Sequence, residues 1–446
     1  MRRTRKRTKK KNSDETFSLL IMNRGGFFCH VISKIFMKGS HKMNSGTELS
    51  SQVNLWSASR QKLYQLTFVA LSVLSIIYLF FFSRAVDYLL CDLETQWRVC
   101  AYTLRGVDIY ALRGSDDFIP EIGYIYVGFH ASPWGCLLEN VFYGGFLSYE
   151  AAKAYFITVN LTILLTASLV LRAKATSLNV GSWAFILSLF SLDFFASVSM
   201  GNAGGMICAF LLIAWLICDD HPYIAGVLVA FAMVKPQVAL IVCVMFLMMR
   251  RVKPLITGAV VDISAWFAVS LLTGKGMFEL LREFLFMSSE KVGTPFSAGI
   301  FTIMFDNFMY ATYASMIAGV IFVAVLYALL PRNMPEMFKI YPAFMAVAFW
   351  CYSQANDNYV HVLPACVCVW LLTLGNKRLL WLLCAMWCSF GLHIRSGIRR
   401  LIMLADPVLT YGDSARFAMT LYELVIIAIG FMICVELRRI YGGADS

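Results

Sequence analysis

The stretch CDLETQWRVCAYTLRGVDIY, Cys91 to Tyr110, carries the most informative acids in the chain. It follows an apolar run, Leu63 to Phe82, closely enough that Asp92 emerges near a membrane surface if that run spans. A carboxylate there has two readings. It takes a proton from a hydroxyl offered by a lipid-linked substrate, or it caps the first turn of a helix. Asp108 and Tyr110 belong to Gly106-Val107-Asp108-Ile109-Tyr110, where substrate contact competes with a turn or capping role.

Lys235 interrupts an otherwise apolar hairpin, Tyr223 to Met249. A charge in or beside a membrane segment is a functional candidate by default, and an ammonium suits a phosphate. The competing account is a lysine whose stem lies in the apolar layer while its head reaches the interface. Arg395, within His393-Ile394-Arg395, carries the same pair of readings, phosphate contact or interfacial anchor. Arg98, Arg105, Arg113, Lys275, Arg282, Lys291, Arg399 and Arg400 add cations to the same side, and arginine suits two-pronged phosphate contact. Asp357, Tyr359 and His361 form a polar cluster at a helix end, either a sugar or acceptor site or a helix start capped by Asn356 or Asp357. His130, beside Pro133 and Trp134, is either a structural histidine or part of an aromatic spot suited to a sugar face.

Absent motifs narrow the chemistry. There is no G-x-x-x-x-G-K-[ST] loop for ATP, no D-x-D triplet for a nucleotide-sugar metal and no H-E-x-x-H. The pairs Cys366/Cys368 and Cys384/Cys388 lack zinc spacing, so neither a metal nor another cofactor is expected. Most of the 13 cysteines fall in apolar runs and read as small core packers, while a disulfide between Cys91 and Cys100 stays open.

The elements that must position these groups are membrane helices. The 446 residues are 59% hydrophobic and 15% charged, with mean hydropathy +0.68, which a solvated surface does not sustain. Apolar segments suited to spanning run at 63–82, 151–171, 181–198, 204–217, 223–234, 238–249, 254–272, 310–330, 338–352, 360–374, 379–392 and 417–435. The expected fold is therefore all-α, a polytopic bundle of about twelve transmembrane helices. Trp134 to Leu147 is broken by Glu139 and Asn140 and reads as re-entrant or interfacial. Threaded from a cytoplasmic N-terminus, the basic pairs at Arg172/Lys174, Arg250/Arg251, Lys377/Arg378 and Arg438/Arg439 fall inside.

Three segments follow: a basic cytoplasmic N-terminal piece, 1–62, partly disordered or interfacial; a transmembrane domain, 63–437; and a short cytoplasmic tail, 438–446. The eight basic residues between Arg2 and Lys11 are expected to touch anionic lipid rather than nucleic acid, because no basic, aromatic-interleaved soluble domain accompanies them. Long outer loops, 84–150 and 274–309, carry aromatics and amphipathic patterning. In the first, Leu93, Trp97, Cys100 or Ala101, and Leu104 share one helical face, as in a helix lying on the membrane surface.

These residues, in this order, resemble the GT-C superfamily of membrane glycosyltransferases, and within it the bacterial polyprenol-phosphate-mannose-dependent alpha-mannosyltransferase family. Asp92, Trp97, Gly106, Asp108 and Tyr110 match its first motif, with Ile109 where proline is usual. Phe129 to Leu137 looks like its aromatic-proline segment, and Gly201-Asn202-Ala203-Gly204 like its G-Q-x-N segment, with Asn202 for glutamine. Ala225-Gly226 through Lys235-Pro236 and Ser353 to Tyr359 look like later motifs, with Asn358 for histidine and His361 three residues on. The resemblance implies that an aspartate, here Asp92, deprotonates an acceptor hydroxyl, which attacks the anomeric carbon as polyprenyl phosphate departs with inversion. Lys235 and Arg395 then contact phosphate, while Asp108, Tyr110, His130, Asp357, Tyr359 and His361 serve the substrates.

The expected activity is transfer of a hexose, mannose favoured, from a polyprenyl-phosphate-sugar donor to a glycolipid or glycan acceptor. It takes place at the extracytoplasmic face of a multi-pass protein of the cell membrane, with a bacterial inner membrane favoured. A polyprenyl-linked glycan flippase or secondary transporter is the rival, and a glycan polymerase or ligase is a further one. A transporter places its polar residues near the bilayer midplane and often carries internal repeats, whereas the candidates here gather at outer helix ends.

Overall fold

A computed structural model describes residues 91–112, 117–125, 131–175, 198–290, 308–331, 394–406 and 411–442, with isolated positions elsewhere. These lie in one compact unit, Leu55–Ser446. All regular structure among the described residues is helical: α1 (Cys91–Leu104), α2 (Ile109–Leu112), α3 (Gly135–Leu138), α4 (Asn140–Tyr143), α5 (Tyr149–Ala175), α6 (Gly204–Ile217), α7 (Pro222–Ala232), α8 (Pro236–Met248), α9 (Val252–Thr273), α10 (Met277–Glu290), α11 (Phe308–Leu329), α12 (Ile394–Ala405) and α13 (Tyr411–Gly442). The expected basic segment 1–62 and the apolar runs 63–82, 181–198, 338–352, 360–374 and 379–392 lie outside the described residues but for isolated positions.

Two described helical stretches, Tyr149–Leu171 and Val252–Thr273, are long and apolar enough to cross a membrane. The twelve expected spans are thus not all matched by full-length helices. At about 1.5 Å per residue, the 11-residue α7 and the 13-residue α8 reach only about 16–20 Å, short of the ~30 Å hydrocarbon core. Hydropathy alone does not separate such half-length helices from full spans. Each begins with a proline, Pro222 and Pro236, whose missing N–H goes unneeded at a helix start.

Burial sorts the helices into an interior and a rim. Every residue of α6 is buried, so this helix is apolar all round and packs against α5, α7 and α8. By contrast α9 buries Pro254, Gly258, Ala265 and Val269 on one side and exposes Ile256, Val260, Ile263, Phe267 and Leu271 on the other. The exposed stripe repeats every three to four residues and is apolar throughout. Similar stripes mark α11, with Tyr313, Ile317 and Ile321, and α13, with Leu421, Leu424 and Val435. Faces of this kind suit lipid and not water.

The first helix departs from expectation. Leu93, Trp97, Cys100 and Ala101 are buried as a shared face predicts, but Val99, Tyr102 and Thr103 are buried too, while Leu104 is exposed. α1 is therefore buried over a wider face than the pattern predicts, with Glu94 and Arg98 partly exposed on the other side. Local hydrogen bonds permit this. The Tyr102 hydroxyl donates to the Gly123 carbonyl at 3.0 Å and accepts from the Ile119 N–H at 2.8 Å, and Thr103 Oγ1 donates to the Val99 carbonyl at 2.9 Å. α1 ends as its glycine predicts: Gly106 has φ +71°, the Val107 N–H donates to the Tyr102 carbonyl and the Gly106 N–H to the Thr103 carbonyl. Cys100 is a free, buried thiol, which closes the question of its pairing with Cys91.

Candidate active site

Three residues distant in sequence meet around one amide. Asn202 Nδ2 donates to Asp92 Oδ2 at 3.1 Å, and Asn202 Oδ1 accepts from Lys235 Nζ at 2.8 Å. The Gly204 N–H also donates to Asn202 Oδ1 at 3.0 Å. The amide orientation follows from its neighbours, because two donors face its oxygen and a carboxylate faces its nitrogen. Asn202 is buried, with Asp92 and Lys235 partly open.

Each residue stands at the start of a helix: Asp92 in the first turn of α1, Asn202 just ahead of α6 and Lys235 just ahead of α8. Helix N-termini carry partial positive charge, which together with the Lys235 ammonium makes the surroundings of Asn202 receptive to an anion. Gly201 permits the approach. Its φ is +78°, and a Cβ there would come within 2.4 Å of Leu93 Cβ and 2.6 Å of the Leu93 nitrogen, so the turn carrying Asn202 touches α1 next to Asp92. The Ala203 N–H donates to the Tyr143 hydroxyl at 3.2 Å, tying the same turn to α4.

A further acid lies behind this group. Glu139, at the junction of α3 and α4, is 5% exposed, and its Oε2 is buried without a hydrogen-bond partner. Burial pushes its carboxyl up to about 8, although the nearby Lys235 charge pulls the other way. Burial likewise pushes the Tyr143 hydroxyl well above its ordinary range. The sequence signal for Glu139 is a charge inside an apolar segment, which by pattern alone is only a break in that segment.

The remaining candidates divide. Asp108 uses both oxygens locally: Oδ1 accepts from the Tyr110 N–H at 3.0 Å, and Oδ2 pairs with Lys275 Nζ at 2.5 Å. Lys275 also pairs with Glu283 at 2.6 Å, so one lysine clasps the first loop to α10. Burial acts to lower the Lys275 pKa, but hydrogen bonds and charge from Asp108 and Glu283 outweigh it and hold the ammonium above its ordinary value. Tyr110 is buried, and its hydroxyl donates to the Ala131 carbonyl at 3.0 Å. Arg98 donates to the Tyr124 carbonyl at 2.6 Å and pairs with Glu94. Among the other cations, Arg105, Arg282 and Arg400 are exposed. His130, Asp357, Tyr359 and His361 lie outside the described residues, as does the side chain of Arg395, whose backbone belongs to α12.

No curated protein and no solved structure matches the chain. Residues 133–351, a little under half of the chain, match the model of Glycosyltransferase family 87. The match begins at Pro133, so it takes in Glu139, Asn202 and Lys235, and Asp92 joins them through geometry. The similarity and the apolar helices together support a membrane glycosyltransferase.

Proposed function

We propose that this protein transfers a hexose, mannose favoured, from a polyprenyl-phosphate-sugar donor to a glycolipid or glycan acceptor at the extracytoplasmic face of a bacterial inner membrane. The observation that carries the proposal is the Asp92–Asn202–Lys235 chain, which holds a carboxylate and an ammonium on opposite ends of one amide. The reaction needs these two groups. A base must accept the proton of the acceptor hydroxyl, and a cation must meet the charge that grows on the departing phosphate.

In the proposed step Asp92 takes the hydroxyl proton while the acceptor oxygen forms its bond to the anomeric carbon. The bond from that carbon to the phosphate oxygen breaks, and its electron pair leaves on polyprenyl phosphate. The donor phosphodiester carries one negative charge and the departing monoester gains a second, which Lys235 stabilises. Attack opposite the leaving group inverts the anomeric centre. Phosphate leaves readily, so no second carboxylic acid has to protonate it. Arg395 is a proposed second phosphate contact, and His130, Asp357, Tyr359 and His361 are proposed contacts to sugar or acceptor. Asp108 and Tyr110 support the substrates indirectly, by fixing the loop that carries α1.

The test is a mass-spectrometric comparison of membrane lipids and surface glycans in cells with the gene, without it, and with Asp92→Asn. One sugar missing in both altered strains supports the proposal. Unchanged glycoconjugates contradict it, and donor movement across vesicles without any product identifies the chain as a transporter.

A further inference from the structure

The transfer step gives Glu139 no task, although it is a buried acid beside the groups that do the work. Trp134 Nε1 donates to the Met233 carbonyl at 2.9 Å, which docks the head of α3 on the turn before Lys235. A side chain starting at Gly135 would meet Glu139 Oε1 at 3.5 Å and Val234 Cβ at 3.7 Å, so the carboxyl and the residue preceding Lys235 flank the same glycine. One turn beyond Glu139, Tyr143 accepts the N–H of Ala203, the neighbour of Asn202.

The titratable groups around Glu139 come from every helix packed there. α1 brings Cys100, α2 brings Tyr110, α3 brings Cys136, α4 brings Tyr143 and the start of α8 brings Lys235. α9 contributes Trp266 and Val269 to the same cluster. The thiols and phenols are held neutral by burial, so Lys235 is the cation that an ionised Glu139 would claim. That claim competes with a donor phosphate for the same ammonium.

We infer that Glu139 is a positioning residue that must be in its neutral acid form for the donor to bind, which reserves Lys235 for the donor phosphate. The inference rests on the phosphate role proposed for Lys235 and extends it to a proton requirement. A carboxylate at this depth adds a second negative charge beside a phosphate whose own charge grows during transfer. A neutral acid adds none, and its buried Oε2 has no hydrogen-bond partner to give up. Because burial raises the Glu139 pKa to about 8, the neutral form prevails below that pH and is lost above it. Donor affinity is therefore present at neutral pH and falls as pH rises through about 8.

The experiment uses the full chain in proteoliposomes, with polyprenyl-phosphate-mannose as the donor, and measures donor KM and kcat from pH 6.5 to 9.5. In the natural protein, KM rises about tenfold between pH 7 and pH 9, as a single ionisation near 8 dictates. kcat does not follow the same curve, because bound donor keeps Glu139 protonated. Glu139→Gln and, as a second neutral replacement, Glu139→Met abolish the rise in KM. A flat KM in the natural protein overturns the inference whatever the variants do, and so does an equal rise in a folded Glu139→Gln protein. Absence of any turnover at pH 7 overturns the transfer reading and this inference together, whereas a flat KM in an active enzyme removes only the role of Glu139.

Discussion

Asn202 joins a carboxylate to an ammonium through one amide. Asn202→Leu keeps the volume and removes both bonds, and Lys235→Met removes the ammonium. Each is expected to lower kcat/KM, Lys235→Met by about 10²–10³-fold if it acts as an electrostatic stabiliser of the leaving group. The double variant should lose less than the product of the single losses, because the two residues act through one contact. Steady-state kinetics of the four proteins checks this. Asp92 and Lys235 were legible in the sequence as an acid following an apolar run and a charge within an apolar hairpin. Their partnership was not, since 110 residues separate Asp92 from Asn202 and 33 separate Asn202 from Lys235. Glu139 was visible only as an interruption, because a buried acid and a wet acid look alike until the packing around them is known.

The elements deliver these residues through their ends rather than their middles. The chain turns at Gly201 with a left-handed backbone directly against Leu93, so the position has no room for a side chain. Gly201→Ala is expected to cost at least about 1–2 kcal/mol from backbone conformation alone, before the collision with α1 is counted. Thermal unfolding in detergent should shift downward, and transfer should weaken as Asn202 is pushed from Asp92. Unchanged stability would show that the turn and α1 are not in contact. Helix interiors were readable from hydropathy: α6 matches the expected 204–217, and α9 extends 254–272 by two residues at its start and one at its end. Ends were less readable, because they depend on caps and neighbours. α5 starts two residues before and finishes four residues after the apolar run that announced it. The buried face of α1 is wider than its pattern suggests, since Tyr102 and Thr103 count as polar in a pattern yet bury once their hydroxyls find carbonyls.

Across the whole molecule, apolar stripes on α9, α11 and α13 mark faces suited to lipid, and the fully buried α6 forms the interior against which the site is built. Sidedness is the property that composition suggests and geometry leaves to experiment. Arg105, exposed near the end of α1, is a suitable reporter. A cysteine at position 105 should react with a membrane-impermeant maleimide in intact cells, with the parent chain as control for its native thiols. Reaction only after permeabilisation would put α1 in the cytoplasm and remove the lipid-linked donor from its reach. The most direct test of the account remains the reaction itself, run with purified protein in proteoliposomes containing polyprenyl-phosphate-mannose and membrane-derived acceptor. The natural protein should form glycosylated acceptor and release polyprenyl phosphate, and Asp92→Asn should slow this by about 10²–10⁴-fold, the range for loss of a positioned base. A folded Asp92→Asn protein that keeps a rate within about tenfold of the natural one would contradict Asp92 as the base.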